Sequence, residues 1–121
     1  MWWILAFSLV TGLPPAPPPH YGFIDAARLA TLCKAQGDDA ASARSLCLGY
    51  IVGAVDQLFA QQARSGQATI CPPGDLTADD AMAAVVRHAR FASTADGLSA
   101  ADFVRLAMEI GYPCAGVASA K

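Results

Sequence analysis

The sequence predicts an all-α fold, a small up-down antiparallel four-helix bundle stapled by two disulfides. Three observations carry that expectation. Apolar residues recur at spacings near 3.6 in four stretches, residues suited to capping stand at the ends of those stretches, and four cysteines fall where such a bundle brings them together in pairs. No stretch alternates with the period of two that a half-buried strand requires.

All 18 charged residues of the 121-residue chain lie at Asp25 or later. Residues 2–13 form a mostly apolar run, shorter than the roughly 20 residues a membrane-crossing helix needs. That length suits the core of a signal peptide, so residues 1–13 are expected to direct export to the periplasm, with no stable membrane span in the mature form. Pro14, Pro15, Pro17, Pro18 and Pro19 then disallow helix and central strand and favour an extended spacer over residues 14–22, which includes His20.

The helical domain is expected over residues 23–116, leaving 117–121 as a tail. The first helix should run from about Phe23 to Ala35, with Ala26, Leu29, Ala30, Leu32 and Cys33 on its apolar side and Gly37-Asp38-Asp39 as its stop. The second should span about Ala43 to Arg64, burying Leu48, Ile51, Val52, Val55, Leu58 and Phe59 and ending at Gly66. Thr77 followed by Asp80 forms a capping box for the third, which buries Met82, Val85, Val86 and Ala89 and ends near Phe91 or Ala92. Ser99 and Asp102 repeat the device for the fourth, with Phe103, Leu106, Ala107 and Ile110 inward and Gly111 at its end. The 26 alanines fit close helix packing.

In an oxidising compartment four cysteines imply two disulfides, and three pairings are possible. An up-down bundle selects among them. Cys33 ends the first helix and Cys47 lies near the start of the second, at one pole; Cys71 and Cys114 lie at the other. The loops so closed would restrict the unfolded chain by about 3 and about 4 kcal/mol on chain-entropy reasoning.

Several functions are disfavoured by residue type and spacing. A net charge of −2 with scattered basic residues gives no footprint for nucleic acid. The absence of Cys-x-x-Cys or His-x-x-x-His spacing argues against a zinc site, and no cofactor is expected. Cys71 with His88 lacks an orienting third group and reads as a staple rather than a catalytic dyad. Asp79 and Asp80 point about 100° apart on a helix and read as capping residues, not as paired catalytic carboxylates. No catalytic residue is assigned, which favours a binder over an enzyme.

Helix two holds the most unusual local chemistry. Gly49 and Gly53 share a face and together cost about 2 kcal/mol relative to alanine in a helix interior. Close approach of another backbone, from a neighbouring helix or from a second subunit, would explain them. Asp56, if buried, needs hydrogen bonds from a helix terminus or loop, or else lines a recognition surface. Tyr50 is expected in the core with its hydroxyl hydrogen-bonded. The candidate partner-binding surface is the polar side and end of helix three with the following loop: Arg87, His88, Arg90, Phe91, Ser93, Thr94 and Asp96. Phe91 is read either as an anchor for a partner's pocket or as a core aromatic closing the bundle end.

The order Cys33, then Cys47-Leu48-Gly49-Tyr50-Ile51-Val52-Gly53-Ala54-Val55-Asp56, then Cys71-Pro72-Pro73, then Pro113-Cys114 resembles the Rap/Tai family of type VI secretion immunity proteins. The resemblance spans about residues 29–114. It implies a small exported all-helical protein, often a homodimer, that binds a peptidoglycan amidase delivered by neighbouring cells and blocks its active-site cleft. Between the third and fourth helices family members often carry His-Pro-Glu or similar, where this chain has Arg90-Phe91-Ala92-Ser93-Thr94-Ala95-Asp96-Gly97. A small periplasmic helical chaperone or apolar-ligand carrier is the alternative reading.

Overall fold

A computed structural model describes residue 12, residues 22–91 and residues 97–115. Apart from Gly12 and Gly22, the leader and spacer fall outside the described residues, as do residues 117–121. Four helices follow in order: α1 over Ala26–Lys34, α2 over Ala40–Ser65, α3 over Ala78–Phe91 and α4 over Ala100–Gly111. Each packs against the other three, and no strand is present among the described residues beyond two isolated bridges.

Disulfides join Cys33 to Cys47 and Cys71 to Cys114, as the bundle polarity predicts. The first links the end of α1 to the first half of α2. The second ties the loop after α2 to the segment after α4, where Cys71 N donates to the Tyr112 carbonyl at 2.8 Å and Ile70 bridges Pro113.

α1 begins at Ala26, three residues later than apolar spacing suggests, because the preceding residues are engaged elsewhere. Asp25 caps the helix by accepting from Arg28 N at 2.7 Å. The backbone around it pairs with the entry to α4: Ala26 N donates to the Leu98 carbonyl at 2.8 Å, and Ala100 N donates to the Ile24 carbonyl at 3.1 Å. Phe23 is left fully exposed. α2 begins at Ala40, earlier than expected, since Gly37 turns the chain with φ at 104° and its carbonyl accepts from Ala40 N at 3.2 Å. Alanines at 40, 41 and 43 then favour continued helix.

The buried stripe of α2 is Cys47, Ile51 and Val55, set four residues apart. Expected core positions Val52 and Phe59 are instead 39% and 36% exposed, and Leu48 and Leu58 are half-buried. The disulfide decides this rotation, since Cys47 must face α1. Phe103, Leu29, Ile51, Met108, Val85 and Val104 are the largest side chains shut off from solvent, with Ala26, Ala81, Ala84, Ala100 and Ala107 letting the helices approach. Ile110, expected inside, is 66% exposed. Leu106, Met82 and Val86 are half-buried.

Both predicted N-caps of α3 and α4 form. Ser99 Oγ accepts from Asp102 N at 3.1 Å. Thr77 Oγ1 accepts from Asp80 N at 3.1 Å while Asp80 Oδ2 accepts from Thr77 N at 3.1 Å. The Thr77 backbone N–H, followed by its hydroxyl, holds the Asp80 carboxyl below the usual aspartate value. A folded-state pKa below the unfolded value of about 3.9 makes this box fully stabilising above that pH, and the contribution fades as pH falls through the lower folded value. Asp80→Asn should therefore flatten the loss of melting temperature between about pH 6 and about pH 2.5. Identical slopes for variant and parent would remove Asp80 from the acid response.

Candidate functional site: a groove and a cleft on the two sides of α3

α3 is buried along Ala81, Ala84, Val85 and Ala89, which leaves its remaining positions to form the walls of two surface depressions. The first lies between α3 and α4. Its floor is made of small residues, Ala84, Ala107 and Gly111, because the helices run close together there; a Cβ added at Gly111 would sit 3.5 Å from the Ala84 Cβ. Arg87, His88, Phe91 and Ile110 form the rim of a groove of about 430 Å³.

The rim combines rigid and exposed parts. His88 packs against the buried Phe103 ring, with centroids 4.8 Å apart, so its imidazole is anchored from below. Phe91 at 85% exposure and Ile110 at 66% place two large apolar side chains beside a cation, Arg87. Exposed apolar groups clustered with Arg are the composition of a protein-contact patch rather than of scattered surface residues. Phe91 does not close the core; that reading is corrected by its exposure.

The second depression, about 530 Å³, lies on the other flank of α3 against the end of α1 and the start of α2. Arg90 belongs here and not with Phe91: the rotation of about 100° between adjacent helical residues turns the two into different openings. The sequence-predicted surface is thus divided, with Arg87, His88 and Phe91 in the α3–α4 groove and Arg90 in the cleft. Ser93, Thr94 and Asp96 lie outside the described residues.

The family model described as Rap1a immunity proteins matches residues 25–114. The chain belongs to the Rap1a immunity protein family. The match begins at the α1 cap, Asp25, and ends at Cys114, so it coincides with the stapled four-helix unit of this Rap1a-family protein. Comparison with curated proteins and with solved structures finds no match.

The helix-two motif of this Rap1a-family chain is placed differently from expectation. Gly49 and Gly53 lie on the exposed face of α2, and a Cβ at either would meet nothing within 4 Å. No neighbouring helix of the same chain requires them. Asp56 is exposed, lines a small hollow beside Thr77 and Ala78 at the start of α3, and accepts no hydrogen bond from any described residue. Its charge sits favourably near that positive helix end and, being solvated, has no need of a partner. Tyr50 is half-buried against the core. Burial first, and the nearby Asp102 carboxylate second, push its phenol above the ordinary value; no hydrogen bond to its hydroxyl occurs among the described residues.

Sequence reasoning missed Ile110, Lys34 and Arg44 as surface-forming residues. Ile110 falls at core spacing in α4, but the stripe that α4 buries runs through Ala100, Phe103, Val104, Ala107 and Met108 and leaves Ile110 outside it. It also missed Gln62, whose amide oxygen accepts from Thr69 N at 2.7 Å and Ile70 N at 2.8 Å and whose amide nitrogen donates to the Ile70 carbonyl at 3.1 Å. A glutamine near a helix end carries no sequence signal for such a latch. Among the described residues no group of His, Cys, Asp or Glu is arranged to hold a metal, and no helix is long and apolar enough to cross a membrane.

Proposed function

We propose that the protein is a periplasmic, non-enzymatic immunity protein that binds a type VI secretion effector, a peptidoglycan amidase, and occludes its active-site cleft. Membership of the Rap1a immunity family is the observation that carries this reading. Two disulfides and no free cysteine suit an oxidising compartment.

The contact surface in this reading is α3 and the segment after it: Arg87, His88 and Phe91 at the groove, Arg90 on the opposite flank, and Ser93, Thr94 and Asp96 beyond. Phe91 is the anchor, entering a pocket of the effector while Ile110 and Arg87 shield its edges from water. Homodimerisation is assigned to the exposed face of α2, where Leu46, Gly49, Val52 and Gly53 would let a second copy approach closely.

Co-expression with the toxin encoded beside this gene tests the reading: periplasmic toxicity should be rescued, and the two proteins should co-purify. Arg90→Ala with Phe91→Ala should weaken that binding by at least about 2 kcal/mol, the scale of a hot-spot residue, while leaving the melting temperature unchanged. Undiminished affinity of the double variant would dispose of this surface.

A further inference from the structure

The cleft on the far flank of α3 carries chemistry that neither the bundle nor the α3–α4 groove uses. Lys34 from the end of α1, Arg44 from the start of α2 and Arg90 from α3 converge on it, against one carboxylate, Asp79. Three cations and one anion leave a local charge of +2 in a chain whose net charge is −2. Among the described residues the ion pairs are those of Arg105 with Asp102 and Glu109, so none of the three cations is neutralised by a described partner.

The floor of the cleft is apolar and stiff. Met82 and Val86 line it, half-buried, and Cys33 brings the Cys33–Cys47 staple to its edge. That bond fixes the spacing between the helix ends bearing Lys34 and Arg44. The first turn of α2 has no acidic residue, so Arg44 gains nothing there from its own helix. An apolar floor ringed by cations at positions the fold does not need is complementary to one kind of occupant.

The structure assigns this cleft to an acidic segment of a partner protein, an extended strip in which Asp or Glu flank an apolar side chain. The apolar group would rest on Met82 and Val86, and the carboxylates would meet Lys34, Arg44 and Arg90. Charge complementarity of this kind sets partner choice and association rate, and it weakens with ionic strength. Naming the secreted effector as the owner of the segment rests on the immunity reading; the preference for acidic segments does not. α3 then stands as a ridge between an apolar groove and a basic cleft.

A random peptide library displayed on phage and panned on the purified protein should enrich segments with Asp or Glu around an apolar residue. A synthetic peptide of the consensus should bind the parent at least tenfold more tightly than Lys34→Glu/Arg44→Glu, and its Asn and Gln counterpart should bind both weakly. Lys34→Gln/Arg44→Gln serves in the same comparison should charge reversal disturb folding. Enriched peptides without acidic bias, or equal binding to parent and variant, overturn the assignment. So does a selection that yields no acidic peptide while phosphatidylglycerol vesicles bind the parent and not the variant, which would make the cleft a lipid contact. Because no effector enters the selection, its failure leaves the immunity reading intact, and failure of toxin rescue leaves the cleft's selectivity standing.

Discussion

Replacing Cys71 and Cys114 together by serine should lower the folding free energy by up to about 4 kcal/mol, the larger of the two staple effects. The bond joins residues 43 apart, against 14 for Cys33–Cys47, where about 3 kcal/mol is expected. A domain of under 100 residues has little stability to spare, so the variant should be partly unfolded near physiological temperature. Urea unfolding of parent and variant under oxidising conditions measures the difference. A loss below about 1 kcal/mol would mean that the Cys71–Tyr112 hydrogen bond and the Ile70–Pro113 bridge already hold these ends together, in the unfolded ensemble as well as the folded one.

Phe103→Ala should cost about 3–5 kcal/mol, since the ring is fully buried at the centre of the bundle and its removal leaves a cavity the packed helices cannot close. It should also release His88, which rests on that ring, and so loosen the α3–α4 groove from beneath. Phe91→Ala is the matched control. The same chemical change at a side chain 85% exposed should alter stability by no more than about 0.5 kcal/mol. Thermal unfolding of the two variants side by side checks both values; a small effect at Phe103 would contradict the core as described.

The bundle was legible where its determinants are local. Thr77 with Asp80 and Ser99 with Asp102 cap helices through contacts three residues apart, and the cysteine pairing follows from helix count and polarity alone. The errors arise where distant segments decide. Ile24 and Asp25 stay outside the helix because the chain there pairs with residues 98–100, a contact invisible to any short window. α2 has apolar residues around much of its circumference, so spacing admits several stripes, and the covalent demand at Cys47 selects the one running through Ile51 and Val55. At the candidate site, Phe91 and Arg90 are adjacent in sequence but face separate depressions, because adjacent helical residues point about 100° apart. Lys34 and Arg44 are solitary charges along the chain; the α1–α2 turn alone makes them neighbours.

The two staples close separate covalent rings that do not overlap, residues 33–47 and residues 71–114. A single peptide-bond cut inside either ring leaves both halves attached, so such a nick does not shed any part of the described helices. Between Cys33 and Cys114 the chain is severable only in the stretch joining the rings, residues 48–70. Most of that stretch is α2, whose backbone is held in helix through Ser65; a short exposed turn over residues 66–68 follows, and Gln62 grips Thr69 and Ile70 beyond it. Between the two rings, a protease can therefore reach most of the severable backbone only after local unfolding of α2, and the exposed turn over residues 66–68 is where a separating cut would fall first.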